Sequence, residues 1–335
     1  MRLIEKAWYQ NHPVKWLLLP LSGLFWLLSA IRRLLYRLKL LSQPALDVPV
    51  VIVGNIGVGG NGKTPMVVLL VEQLQQRGIR VGVISRGYGG QKRNTPLQID
   101  DSVSAAEGGD EPVLIYQRTK APVVIGADRV AAAQTLIEQG CQLIISDDGL
   151  QHYRLKRDVE LVIVDGNRRF GNGWLLPAGP LREGQWRLQH VDQVIINGGV
   201  AKDNELLMTL RATHVINLIS GEKQTVADFI NAHGQHGVNA LAGIGDPQRF
   251  FNTLAQLGFS LARVQGFVDH HHFQAEDIAQ FEHNLPLLMT EKDAVKCKPI
   301  AHQQCWYLPV DASFSPSQHN QLIELILSRC EPYGF

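Results

Sequence analysis

The chain has 335 residues, 45% hydrophobic and 19% charged, with a formal net charge of +1. That length allows roughly two domains with a sizeable core, and the near-neutral balance supplies no electrostatic ground for nucleic-acid binding. Four scattered cysteines, Cys141, Cys297, Cys305 and Cys330, include no C-x-x-C pair and read as reduced thiols rather than a disulfide or zinc framework.

The charge is uneven along the chain. Residues 1–42 hold seven Lys/Arg against Glu5 alone, a local +6 that leaves −5 for the remainder. Trp16 to Ile31 is sixteen residues without a charge, followed by Arg32-Arg33. A cleaved signal peptide is disfavoured by the polar lead-in and by the arginines where export would follow. A spanning helix needs about 20 apolar residues, and this run is short and interrupted by Pro20 and Gly23. An interfacial anchor fits better: Arg32, Arg33, Tyr36 and Arg37 fall on one helical face and Ile31, Leu34, Leu35, Leu38 and Leu41 on the other, an arrangement suited to anionic headgroups. The plainer alternative is an amphipathic helix packed on its own domain.

Next comes an apolar strand, Val50 to Val53, feeding Gly57-Val58-Gly59-Gly60-Asn61-Gly62-Lys63-Thr64, a full match to the G-x-x-x-x-G-K-[ST] phosphate loop. Glycines let backbone N–H groups converge on phosphate oxygens, Lys63 can reach the outer phosphates, and the Thr64 hydroxyl can sit on Mg²⁺. A helix over Met66 to Arg77 is expected behind it. The glycines also satisfy the dinucleotide pattern G-x-G-x-x-G, but the next strand, Ile79 to Ile84, ends in Ser85-Arg86 and lacks the acid that holds an NAD ribose. An NADP reading survives in weakened form, because the Lys63-Thr64 pair has no assigned role in it. A nucleoside triphosphate bound so soon after the apolar segment places the catalytic body on the cytoplasmic side.

Short apolar runs then alternate with helical stretches: Val113 to Arg118, Val123 to Ile125, Ala127 to Glu138, Leu143 to Ser146 and Glu160 to Val164. The pattern predicts a mostly parallel sheet with ligands at the carboxyl ends of its strands. Leu143 to Ser146 runs into Asp147-Asp148, a candidate pair of acids for Mg²⁺. Ser85 to Gly90, Glu107 to Pro112 and Gly149 to His152 have loop composition; within the second, Asp110 and Glu111 could act as general base and metal ligand. A further α/β stretch has strands expected at Gln193–Ile196, His214–Ile219, Val238–Ile244, Leu287–Thr290 and Trp306–Val310, with helices at Gln248–Leu257, Gln274–His283 and Ser317–Ser328. Connections near Gly198-Gly199 and His233 to Gly237 suggest three units: a membrane-associated helical segment (1–42), a phosphate-loop kinase domain (43–215) and a smaller C-terminal α/β domain closing a cleft (216–335). Asp269-His270-His271-His272-Phe273 could be a metal site, an acid–base pair or a polar turn; successive histidines cannot all face one metal.

Taken together, the segments Gly59 to Pro65, Ser85 to Gly90, Gly109 to Pro112, Asp147 to His152, Leu176 to Glu183, Asp269 to Phe273 and Thr290 to Lys296 resemble the tetraacyldisaccharide 4′-kinase family, the lipid A 4′-kinases of Gram-negative bacteria. The resemblance covers nearly the whole chain, in order. It implies an inner-membrane-associated enzyme of two α/β domains that moves the γ-phosphate of ATP to the 4′-hydroxyl of an acylated glucosamine disaccharide 1-phosphate, forming lipid IVA. It also implies an aspartate–histidine pair, Asp110 and His270 by motif, working with Lys63 and Mg²⁺. Thr64, Glu111, Asp147 and Asp148 are then the candidate Mg²⁺ ligands. Arg182 and Glu183 are candidates for charge balance near a phosphate, and Arg86, Tyr88, Gln151 and His152 for the lipid-sugar side. The competing readings are a phosphate-loop ATPase or GTPase switch at the membrane and a nucleotide sensor without turnover.

Overall fold

The computed structural model describes residues 3–10, 12–91, 95–233, 236–281 and 284–334. The centre of the expected His233–Gly237 connection and the His283 end of an expected helix lie outside these residues. Two N-terminal helices, α1 (Leu3–Tyr9) and α2 (Val14–Arg37), precede a first run of strands: β1 (Val50–Gly54), β2 (Val81–Ser85), β3 (Leu97–Ile99), β4 (Val123–Ile125), β5 (Leu143–Asp147), β6 (Val159–Asp165), β7 (Gln193–Asn197) and β8 (Glu205–Arg211). Between them lie α3 (Lys63–Gln75), α4 (Ala105–Gly108), α5 (Asp110–Thr119) and α6 (Arg129–Glu138). A second run follows with β9 (His214–Asn217), β10 (Lys223–Thr225), β11 (Val238–Ala242), β12 (Leu261–Gly266), β13 (Leu287–Thr290) and β14 (Cys305–Leu308). Its helices are α7 (Val226–His233), α8 (Pro247–Gln256), α9 (Ala275–Ala279) and α10 (Glu291–Cys297), and the chain closes with β15 (Asp311–Ser313) and α11 (Pro316–Cys330).

The first sheet has nine strands in the order β15-β8-β7-β6-β1-β5-β2-β4-β3. Seven are parallel, and only the edges β15 and β3 run antiparallel to their neighbours. Parallel strands buried on both faces need apolar residues at every position, which is how Val50 to Val53 and Leu143 to Ile145 read. In β1, Val51 and Val53 enter one core layer with α3, α5 and α11, while Val50 and Ile52 enter the other with α6. The second sheet, in the order β10-β9-β14-β13-β11-β12, has its own apolar layers built around Phe229, Phe250 and Leu254 on one face and Phe273, Ile278 and Phe281 on the other.

Two features differ from the sequence reading. The expected unit 216–335 is not continuous, because β15 pairs with β8 and Leu322, Ile323 and Ile326 of α11 join the first sheet's core. Nothing in local periodicity distinguishes a helix that covers one sheet from a helix that covers another. Glu107 to Pro112 is not a loop: Ser104 and Glu107 cap α4 reciprocally, and Asp110 opens α5 after Gly109 at φ +85°. The S-x-x-E spacing is a readable helix-start signal.

The placement of α11 has a measurable consequence. Ile326 is fully buried against the first sheet, so Ile326→Ala should cost about 2–5 kcal/mol in a urea melt and lower the stability of the sheet that carries the phosphate loop; a change near zero would place α11 outside that core.

Candidate active site

The phosphate loop spans the turn from β1 to α3. Gly59 and Gly62 adopt φ +110° and +89°, and a Cβ on Gly62 would lie 2.5 Å from the Asn197 amide nitrogen, so glycine is required there on both backbone and steric grounds. The loop is braced from outside: the Asn197 amide donates to the Asn61 carbonyl at 3.0 Å, and Val58 N–H to the Pro180 carbonyl at 2.9 Å. Arg182 N–H donates to the Ile56 carbonyl at 2.7 Å. Thus the Leu176–Glu183 segment holds the loop's shape as well as contributing side chains. Gly57, Gly60 and Thr64 take their places along the same turn, Thr64 in the first turn of α3.

Asp147 and Asp148 sit at the carboxyl end of β5, next to β1 in the sheet. Buried Arg129, not anticipated from the sequence, donates to Ser146 Oγ at 2.6 Å and to the Asp147 and Asp148 carbonyls at 2.7 and 3.0 Å, clamping the strand end. The two carboxylates then diverge. Asp148, at φ +50°, lies 3.4 Å from Lys63 Nζ and 3.0 Å from an Arg182 guanidinium nitrogen. Burial works to raise its pKa, but Lys63 and Arg182 outweigh it and hold the carboxyl down at about 2. Asp147 is fully buried with no hydrogen-bond partner for Oδ1, and burial, then the negative charge of Glu111, push it well above the usual carboxylate range.

Across the cleft the second sheet supplies its own groups. His270, at φ +58° in the loop after β12, places Nδ1 3.1 and 3.2 Å from the two Asp110 oxygens. His271 instead pairs with Asp277 at 2.9 Å, so of these two neighbours it is His270 that meets Asp110. Tyr88 lies edge-on to the His270 ring at 5.0 Å, and Gly89 leaves room for that ring, since a Cβ there would fall 3.2 Å from Nδ1. Asp110 is 3% exposed. Burial would raise its pKa, but the His270 hydrogen bond and the Lys292 charge hold it below its ordinary value; the same hydrogen bond raises His270 against its own burial.

Lys292 is the residue that sequence reasoning missed. It projects from α10 to within 3.2 Å of Glu111, 3.5 Å of Asp269 and 3.7 Å of Asp110. Its motif, Thr290 to Lys296, divides the work: Thr290 caps α10, Glu291 pairs with Arg118 at 3.0 Å, and buried Asp293 accepts from Gly243 N–H at 2.9 Å. Alternating charges in such a segment carry no hint of which carboxylates they meet.

The remaining expected side chains divide. Arg86 and Tyr88 are exposed at the carboxyl end of β2. Gln151 donates to the Asn55 carbonyl at 3.0 Å and to Glu183 at 3.3 Å. Glu183, a candidate for charge balance near a phosphate, is only 2% exposed, is bonded to Tyr153 and Gln151 and lies 3.8 Å from Arg187 and 4.0 Å from Arg33. His152 is kept neutral, its pKa lowered to about 4 by burial and by Arg129, Arg157 and Arg32. All four cysteines are free and buried, and among the described residues no group of three or more His, Cys, Asp or Glu forms a metal cluster.

A family model described as tetraacyldisaccharide-1-P 4′-kinase matches residues 14–330. A tetraacyldisaccharide 4′-kinase of Colwellia psychrerythraea is 54% identical over 334 residues, covering 97% of each chain. One from Actinobacillus pleuropneumoniae is 54% identical over 324 residues, covering 96% of this chain and 98% of the relative. Among solved structures, that of LpxK from Aquifex aeolicus in complex with ATP superposes with a TM-score of 0.79 at 27% identity, covering 95% of this chain and 99% of that one.

The orphaned Asp147 carboxylate yields a stability prediction. A buried acid with a raised pKa binds its proton more tightly folded than unfolded, so it costs stability increasingly as pH rises above about 4. Asp147→Asn should therefore raise the metal-free Tm at pH 8 by a few degrees and have no such effect at pH 4; a lower Tm at pH 8 would show that the carboxylate stabilises the fold.

Proposed function

The chain belongs to the tetraacyldisaccharide 4′-kinase family and is a kinase of lipid A biosynthesis that phosphorylates the 4′-hydroxyl with ATP, and we propose that it does so with Asp110 and His270 as its proton-handling pair. The observation that carries this reading is the 3.1 Å contact between His270 Nδ1 and a buried, ionised Asp110. Phosphoryl transfer passes through a loose transition state, so positioning and charge neutralisation supply most of the catalysis. Asp110 accepts the hydrogen bond of the 4′-hydroxyl and orients its oxygen toward the γ-phosphorus. As the new O–P bond forms and the bond to ADP breaks, with ADP keeping the electron pair, the hydroxyl proton passes to Asp110, which the Nδ1–H of His270 holds in place as a hydrogen-bond donor. Lys63 leaves its 3.4 Å contact with Asp148 for the outer phosphates, and Arg182 keeps Asp148 neutralised. The Gly57–Thr64 loop, Val58 and Asn61 included, binds the phosphate tail through its backbone amides.

The donor set suits Mg²⁺. This ion takes oxygen ligands and often only one or two carboxylates beside phosphates and water; the unpartnered Asp147 oxygen, the nearby Glu111 and the Thr64 hydroxyl supply that chemistry. When bound, the ion neutralises charge developing on the β- and γ-phosphates. We assign Asp148 to the cations rather than to the metal. Arg86, Tyr88, Gln151 and His152 border the sugar side, with Glu183 holding Gln151 and Tyr153 in place.

The acceptor is an acylated lipid, and α2 supplies a surface for it. Its polar face docks on the body along its length: Trp16 on Trp174 at 5.2 Å, Ser22 Oγ on the Leu175 carbonyl at 3.0 Å, Arg33 over Trp186 at 4.9 Å and Tyr36 near Tyr153 at 6.1 Å. Leu17, Leu21, Leu24, Leu28, Leu34 and Leu38 point outward, each more than half exposed. The helix is long and apolar enough to cross a membrane, yet only 6% of its most apolar window is buried. A helix docked over roughly 30 Å of its own length cannot also cross a bilayer, so it lies in the interface at the cytoplasmic face, where ATP is available. In this reading the kinase lobe comprises 43–215 with 311–330, and 216–308 is the lobe that closes on it.

Two results test these assignments. His270→Gln should lower kcat by about 10²–10⁴-fold with the KM for ATP little changed. A protonated His270 would make Asp110 a weaker base, and the His270 pKa is raised, so the wild-type rate should climb with pH as the ring becomes neutral, through a midpoint above 6.5; a variant with unchanged kcat and the same limb removes the pair from the mechanism. Leu24→Glu with Leu28→Glu should abolish sedimentation with neutral phosphatidylcholine vesicles while leaving ATP binding intact; undiminished sedimentation would exclude α2 as the membrane contact.

A further inference from the structure

A cavity of about 300 Å³ lies between the last turns of α2 and the body, walled by Arg33 and Arg37 from the helix and by Lys156, Arg157, Trp186 and Arg187 from the body. We propose that this cavity binds the phosphate of an anionic phospholipid headgroup, a site separate from the nucleotide and acceptor sites.

Charge is the first ground. Five cations, Arg33, Arg37, Lys156, Arg157 and Arg187, meet two carboxylates: Glu160 takes Arg157 at 3.0 Å and also Arg187, while Glu183 lies 3.8 Å from Arg187 and 4.0 Å from Arg33. Three positive charges remain in surplus. Among the described residues Arg37 and Lys156, both exposed, have no ion-pair partner. Preorganisation is the second ground. The Arg33, Arg157 and Arg187 side chains are 13%, 13% and 8% exposed, and two are stacked, Arg33 over Trp186 at 4.9 Å and Arg157 over Tyr153 at 5.4 Å. Arg157 already donates to the Leu155, Leu150 and His152 carbonyls and to Glu160, and Arg187 to the His190 carbonyl and Glu160, so these two supply fixed positive charge while Arg33, Arg37 and Lys156 offer the donors that a phosphate would take.

Position selects a lipid. Leu34 and Leu38, 53% and 59% exposed, stand on the same turns of α2 that carry Arg33 and Arg37, so a headgroup in the cavity would have its acyl chains beside the apolar face. Position also argues against the acceptor's own phosphate. Buried Glu183 separates the cavity from the phosphate loop: Gln151 links it to Asn55 at the end of β1, while Arg33 and Arg187 approach from the cavity. The inference rests on the membrane-facing reading of α2 for the source of the ligand, but not for the affinity of the cavity itself.

Titration with dihexanoyl phosphatidylglycerol below its micellar concentration, followed by ³¹P NMR, tests it without a bilayer. Wild-type protein should show saturable 1:1 binding, with dihexanoyl phosphatidylcholine much weaker. Arg37→Gln with Lys156→Gln should weaken phosphatidylglycerol binding about thirty-fold, from the usual contribution of a cation at an anionic lipid surface, and should leave the KM for the disaccharide 1-phosphate in neutral detergent micelles unchanged. Equal binding by wild type and variant, or none by either, overturns the proposal. A raised acceptor KM with phosphatidylglycerol binding unchanged also overturns it and assigns the cavity to the acceptor's phosphate. Should the leucine variants show that α2 does not meet membranes while short-chain phosphatidylglycerol still binds here, the cavity stands and only the interfacial reading falls.

Discussion

A carboxylate buried to 3% exposure and kept ionised is the constraint around which the two sheets are arranged. Removing such a charge from water costs several kcal/mol unless cations and hydrogen bonds meet it. Asp110 belongs to the first sheet's α5, but the groups that meet it, His270 and Lys292, belong to the second sheet. The arrangement around Asp110 is therefore a property of the two sheets packed together. Further pairs cross the same gap, Arg118 to Glu291 at 3.0 Å and Arg249 to Asp165 at 2.8 Å. Separating the two sheets would leave Asp110 without its partners.

The strand end opposite follows the same electrostatic logic with different components. Asp147 is the last residue of β5 and Asp148 follows it in a left-handed conformation at φ +50°, so the two carboxylates point apart and Asp148 meets Lys63 and Arg182. Arg129 fixes that divergence by holding both carbonyls. Lys63 and Arg182 neutralise Asp148, while burial and the charge of Glu111 raise the pKa of Asp147.

At the N-terminus the usual inside-out order is reversed. Most surface helices turn leucines inward, whereas α2 seats Ser22, Arg33 and Tyr36 on the body and leaves its leucines outside. In water that arrangement exposes a contiguous apolar face, the kind of surface that marks an interaction site.

Several parts were legible in the chain before folding. The glycine spacing from Gly57 to Gly62, followed by Lys63-Thr64, specifies a phosphate loop because few other backbones bring so many amides together. The strands of the parallel sheet showed as short apolar runs, and Asp147-Asp148 showed as acids at a strand's end. What tertiary structure decided were the partnerships. The role of Lys292, the burial of Glu183, the choice of His270 over His271 and the return of α11 to the first sheet all depend on contacts between residues far apart in the chain. Local patterning encodes which way a side chain faces relative to its own element; only the packing of elements determines which distant charge it will find there.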